Sequence, residues 1–181
     1  MKRRRLGQHT PTRGQSLVEM ALIAPFLVMT LLMIIDCGRA AYTYSTLAGA
    51  ARSGARAAIT TGSNLPNNSR VIGTVIQQAI GLSLSGASCP NNSPVPSNPT
   101  MAPETGLVYI GAGPGNTTTN APAGEPASVG GACQAIVPSY ATHVPLTVTI
   151  KYNFEPLTPF GSQFFPGGIV MTVTSTMSTE Y

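Results

Sequence analysis

From Leu17 to Ile35 the chain reads LVEMALIAPFLVMTLLMII, nineteen residues interrupted by one charge. At ~1.5 Å per residue a helix over this run is roughly 28 Å long, close to the ~30 Å hydrocarbon layer of a bilayer. The pattern predicts a membrane-spanning helix, because a core helix so uniformly apolar would be unusual in a chain of 181 residues. Pro25 removes one intrahelical hydrogen bond and predicts a kink, which membrane helices tolerate. Past Ile35 the text turns alanine-rich, DCGRAAYTYSTLAGAARSGARAAITTG, with no proline before Pro66. Helix is therefore expected to continue to about Ile59. On a helical wheel Leu47, Ala51, Gly54, Ala55 and Ala58 share one face, with Arg52 and Arg56 opposite. Ala50, Gly54 and Ala58 are spaced by four, a small-residue pattern that admits another backbone closely. That face can serve the chain's own outer part or a neighbouring helix.

A loop, Ser63–Asn68, leads to a second predicted helix whose Val71, Ile72, Val75, Ile76, Ala79 and Ile80 recur at the spacing of one buried stripe. Residues 83–135 are rich in Pro, Gly, Asn and Thr, and only Leu107–Ile110 interrupts them as a strand. The clearest β pattern comes last. Leu146, Val148, Ile150, Tyr152 and Phe154 alternate with Thr147, Thr149, Lys151 and Asn153, as in a half-buried strand. After the turn-rich PLTPFGSQFFPGG, alternation resumes from Ile169 to Met177, and the two strands predict an antiparallel pair. The fold class is α+β, a long N-terminal helix packed on a small antiparallel sheet. The division is 1–14 as a basic leader, 15–35 as the membrane helix, 36–60 as its continuation, and 61–181 as the outer domain with a loop-rich insertion at about 83–135.

Charge sharpens this division. Only 16 side chains are charged, and residues 1–70 hold nine basic against two acidic ones, while residues 71–181 hold Lys151 against four glutamates. Five of the basic residues precede Gly14. Positive residues stay on the cytoplasmic side, so the C-terminal domain is expected outside, in a single pass. A cleaved secretory signal fits poorly, since the apolar run is long and Asp36-Cys37-Gly38-Arg39 offers no small-x-small site. Nucleic-acid binding is not expected, because the outer domain has one lysine and the chain no tryptophan.

Glu19 stands inside the apolar run, where a charge costs about 2.5–3.5 kcal/mol at mid-bilayer and less near an edge. It lies five positions after Gly14, in Arg13-Gly14-Gln15-Ser16-Leu17-Val18-Glu19. Here residues 13–58 resemble the TadE-like proteins of the tight-adherence pilus system, within the type IV pilin superfamily. The resemblance implies a pilin-like fold and cleavage by a prepilin peptidase between Gly14 and Gln15, which makes Glu19 the fifth residue of the mature chain. Gly14 presents no side chain to obstruct a peptidase, and the new α-amino group at Gln15 is a cation that a neighbouring subunit's Glu19 could neutralise. Met20 departs from the aromatic residue that often follows this glutamate. The resemblance further implies other pilin subunits, an inner-membrane assembly platform and membrane lipid as partners. The function it implies is that of a minor pilin or pseudopilin in the bacterial cytoplasmic membrane. The alternative is an unprocessed single-pass surface protein acting as an adhesin through its loops.

Catalytic chemistry is not expected, and neither is a cofactor. The outer domain has one histidine, His143, no aspartate, and glutamates far apart in sequence. Gly111-Ala112-Gly113-Pro114-Gly115 lacks the Lys-Ser/Thr of a phosphate loop. Cys89 and Cys133 flank the loop-rich region, and outside the cytoplasm a disulfide is their natural reading. Closing about 45 residues would stabilise the fold by roughly 4 kcal/mol. A metal site is the weaker alternative, since no paired ligand spacing accompanies His143. Cys37 is left as an unpaired thiol near the membrane surface.

Overall fold

The computed structural model describes residues 13–59, 68–87, 95–112 and 145–178. Its elements in chain order are α1 (Arg13–Ile59), α2 (Asn68–Gln78), β1 (Ser83–Gly86), β2 (Thr105–Ala112), β3 (Pro145–Phe154), α3 (Pro159–Phe164) and β4 (Ile169–Ser178). The four strands form one sheet in the order β1-β2-β3-β4. With the long helix at its N-terminus this is an α+β fold.

Helix α1 runs 47 residues, with Pro25 inside it, and so extends about 70 Å. Its two halves differ in kind. The apolar half is bare: Leu17, Leu22, Phe26, Leu31 and Ile34 are all exposed. The alanine-rich half is built into the domain, with Leu47, Ala50, Ala51, Ala55 and Ala58 buried. Arg52 and Arg56, on the opposite face, are exposed. The seat of α1 is made by α2 together with β3 and β4. Ala50, Gly54 and Ala58 are therefore covered by the chain's own domain. A Cβ placed on Gly54 would collide with Val75 Cγ2 of α2 and lie 3.6 Å from Val148 Cγ1 of β3.

Helix α2 departs from the expected stripe. Val71, Ile72, Val75 and Ala79 are buried, but Ile76 and Ile80 are exposed. At about 100° per residue the four buried positions span roughly one quadrant, and Ile76 falls beyond its edge. Ile80 lies past the helix end, in the turn that leads to β1.

The sheet is mixed where an antiparallel one was expected. β2 with β3 and β3 with β4 are antiparallel, whereas β1 pairs parallel to β2 with Ser83 opposite Thr105. The connection from 87 to 104 is long enough to bring the chain back to the same end of the sheet, as a parallel pair requires. The region expected to be loop-rich thus contributes two strands to the sheet. Gly106 of β2 is needed there, since a Cβ would meet Leu84 Cδ2 at 2.5 Å and the Lys151 carbonyl at 2.9 Å.

β3 was expected to be half buried and is buried on both faces. Val148, Ile150, Tyr152 and Phe154 face the helix side of the core, where Val173 of β4 joins them. Thr149, Lys151 and Asn153 are buried too. Residues 95–103 supply their cover: Lys151 Nζ donates to the Ser97 carbonyl at 2.6 Å and Asn153 Nδ2 to the Met101 carbonyl at 3.4 Å. Tyr109 is buried beside Val95, Ala87 and Leu107 in the same layer. Cys89, Cys133 and His143 lie outside the described residues.

Candidate functional site

Two parts of α1 carry the chemistry, its N-terminal end and the place where it enters the domain. At the end, Gly14 and Gln15 lie in the first turn of the described helix and are exposed. Among the described residues, a Cβ on Gly14 would meet nothing within 4 Å, so no packing among them requires glycine there. Glu19 is also exposed, and Gln15 Nε2 donates to its Oε1 at 3.3 Å across one helical turn. The structure thus brings Gln15 and Glu19 together on one face.

The second part was not anticipated. Asp36 follows the apolar run directly, and Arg39 comes one turn later on the same face, 3.7 Å from it. The Asp36 carboxylate accepts from the Leu157 N–H at 3.1 Å, the Thr158 N–H at 3.1 Å and the Thr158 hydroxyl at 2.7 Å. The Thr158 hydroxyl in turn accepts from the Gly161 N–H at 3.1 Å and caps α3. One carboxylate on α1 therefore holds the start of the β3–β4 connection and, through Thr158, its short helix. Burial alone would raise the Asp36 pKa, but the three hydrogen bonds and the Arg39 charge outweigh it and hold the carboxyl below the ordinary carboxylate value.

Arg39 extends the junction into the sheet. Its guanidinium lies 5.3 Å from the Phe154 ring centroid and 3.3 Å from Glu104 Oε1. Glu104 also accepts from the Tyr152 hydroxyl at 2.9 Å and the Glu155 N–H at 3.2 Å. Its own N–H donates to the Asn153 carbonyl at 2.9 Å. These bonds hold Glu104 at φ 55°, a left-handed conformation uncommon outside glycine. Burial first, and then the bond to Glu104 and its charge, push the Tyr152 phenol well above its ordinary pKa. It stays a neutral donor at physiological pH. Asp36 and Arg39 were visible as the first charges after the apolar run, but their partners are 65 to 122 residues away.

The junction joins the bare half of α1 to its packed half, and a comparison with known families covers the same span. Residues 14–56 match the TadE family, described as TadE-like protein. The TadE-like segment is thus the helix itself, from the exposed Gly14 to the buried Gly54 region, and it includes Glu19, Asp36 and Arg39. No curated protein and no solved structure matches the chain. The α2, β1–β4 and α3 elements lie outside the matched residues. Among the described residues one helix is long and apolar enough to cross a membrane, and none of its most apolar window is buried. Also among them, no three His, Cys, Asp or Glu side chains gather as a metal site would need. Cys37, one residue beyond Asp36, is exposed and has no disulfide partner among the described residues.

Proposed function

We propose that this chain is a membrane-anchored minor pilin or pseudopilin of a tight-adherence pilus machine, a structural component rather than an enzyme. The observation that carries the reading is the TadE-like match, which falls on a helix that is bare over its apolar half. A bare apolar helix first solvated by lipid can later be packed against other helices of the same kind without refolding the outer domain. The leader to Gly14 stays cytoplasmic, a prepilin peptidase cuts before Gln15, and the outer domain emerges on the far side. The absence of any described side chain within 4 Å of a Cβ at Gly14 suits a peptidase that must approach the backbone. Removing the five basic residues of the leader takes the formal side-chain charge from +4 to −1. The strong positive charge belongs to the precursor and fixes its orientation. Cys89 and Cys133, outside the cytoplasm on this topology, would form the disulfide.

Mass spectrometry of the membrane-extracted protein, coexpressed with a prepilin peptidase, is expected to give a chain beginning at Gln15. A chain retaining the leader under those conditions rejects the pilin reading and favours the unprocessed surface protein. Glu19→Ala is expected to leave cleavage largely intact and to lower the number of assembled pili counted by electron microscopy. Normal piliation in that variant would remove the register role assigned to Glu19.

A further inference from the structure

We infer that the β3–β4 connection, residues 155–168, is a second membrane contact, an apolar foot that inserts into the headgroup and upper acyl region of the lipid beside the spanning helix. The inference rests on the reading of α1 as a membrane helix and adds a lipid-binding surface on the outer domain.

The direction of β3 places this foot. Gly54, far along α1, lies against Val148 near the start of β3. Arg39 stacks on Phe154 at its end, and Asp36 holds Leu157 and Thr158 just beyond. β3 therefore runs back along α1 toward the apolar half, and the connection to β4 turns at the pole of the domain nearest the bilayer. Asp36 is the first charged residue after the run that ends at Ile35, so it marks the outer boundary of the hydrocarbon layer. Groups hydrogen-bonded to its carboxylate share that depth to within a few ångström.

The composition of the foot suits that depth. No charged residue occurs between Glu155 and Glu180, and three of the chain's five phenylalanines fall at 160, 164 and 165. Leu157 is 77% exposed and Phe165 51% exposed, and Ile169 and Val170 at the start of β4 are exposed as well. Exposed Phe and Leu side chains on an uncharged segment are the kind that settle into the headgroup and acyl boundary of a bilayer, where their apolar surface leaves water. The hydrogen bonds from Leu157 and Thr158 to Asp36 keep the foot pressed to the helix at this level, so the exposed Leu157 and Phe165 enter lipid as the helix does.

The chain has no tryptophan, which permits a direct test. Phe165→Trp and, separately, Leu157→Trp are made in the full chain and reconstituted into phosphatidylcholine–phosphatidylglycerol vesicles carrying nitroxide either high on the acyl chain or near its methyl end. Leu27→Trp, in the middle of the apolar run, reports on the spanning helix. Both foot indoles are expected to emit at shorter wavelength than in water and to lose most of their intensity to the shallow nitroxide, but little to the deep one. The Leu27→Trp indole should respond most strongly to the deep nitroxide. Water-like emission from both foot variants, open to iodide and untouched by either nitroxide, overturns the inference while deep quenching at Leu27→Trp leaves the membrane helix standing. Blue-shifted emission without lipid quenching also overturns it, in favour of a protein contact. Absence of deep quenching at Leu27→Trp rejects the spanning helix and the foot with it.

Discussion

Gly54→Ala is expected to lower the thermal midpoint of the full chain in detergent, while Gly49→Ala, five residues earlier on the same helix, raises it. Both substitutions remove a helix-interior glycine, and each should gain up to about 1 kcal/mol from the difference in helix propensity. The two sites differ in what the new methyl meets. At Gly49 there is nothing within 4 Å, so the propensity gain is kept. At Gly54 the methyl collides with Val75 Cγ2, and Val148 closes the other side. Val75 is β-branched with few rotamers to spare, and it is fully buried between α1 and the sheet. Overpacking of this kind costs typically about 1–3 kcal/mol, which exceeds the propensity gain. For a chain of this size each kcal/mol moves the midpoint by about 2–4 °C. The two variants should therefore separate by several degrees, in opposite directions from the unmodified protein. Equal shifts would mean that α1 and α2 do not approach closely at Gly54. Gly54→Leu sharpens the test, because no repacking of Val75 alone makes room for it, and it should free the outer half of the helix from its domain.

The same contrast shows what the sequence could reveal. The periodic face Leu47, Ala51, Gly54, Ala55 and Ala58 was legible because it is a local pattern of one helix, and all of it is buried. The alternation in β3 and β4 was legible for the same reason, as was their antiparallel pairing. What escaped depends on distant chain. β1 reads as polar loop text, Ser-Leu-Ser-Gly, and becomes a strand only because β2 offers it an edge. Lys151 and Asn153 read as solvent-facing, and they are buried because the carbonyls of Ser97 and Met101 lie across them. Asp36 reads as the end of an apolar run. Only the fold shows that the backbone it satisfies is more than 120 residues away. The small-residue spacing singled out Gly54 as a place of close approach, but only the fold shows that the approaching group is Val75 of α2, while nothing described lies within 4 Å of a Cβ at Gly49.

Asp36→Ala is expected to loosen the β3–β4 connection from the helix and to destabilise the full chain by about 2–3 kcal/mol at neutral pH, the scale of losing hydrogen bonds to a charged acceptor. Three donors lose their partner at once, the Leu157 and Thr158 amides and the Thr158 hydroxyl. The Thr158 hydroxyl keeps its bond from Gly161, so α3 should retain its cap while the whole foot gains freedom. Amide hydrogen exchange at 157 and 158 is expected to rise far more than at 161, and uniform protection across these residues would reject the junction. Asp36→Asn, with one oxygen acceptor in place of two, should fall between. The pH dependence separates the charge from the packing. The folded carboxyl titrates below its ordinary value of 3.8, so its stabilisation is complete above that value and is lost as pH falls through the lower folded value. The gap in thermal midpoint between the unmodified chain and Asp36→Ala should accordingly be flat from neutral pH to about pH 5 and narrow below about pH 4. A gap that persists unchanged in acid would assign the loss to the missing side-chain volume instead. A gap that closes places the hold on the foot in the Asp36 charge, at the residue where the chain leaves its apolar run.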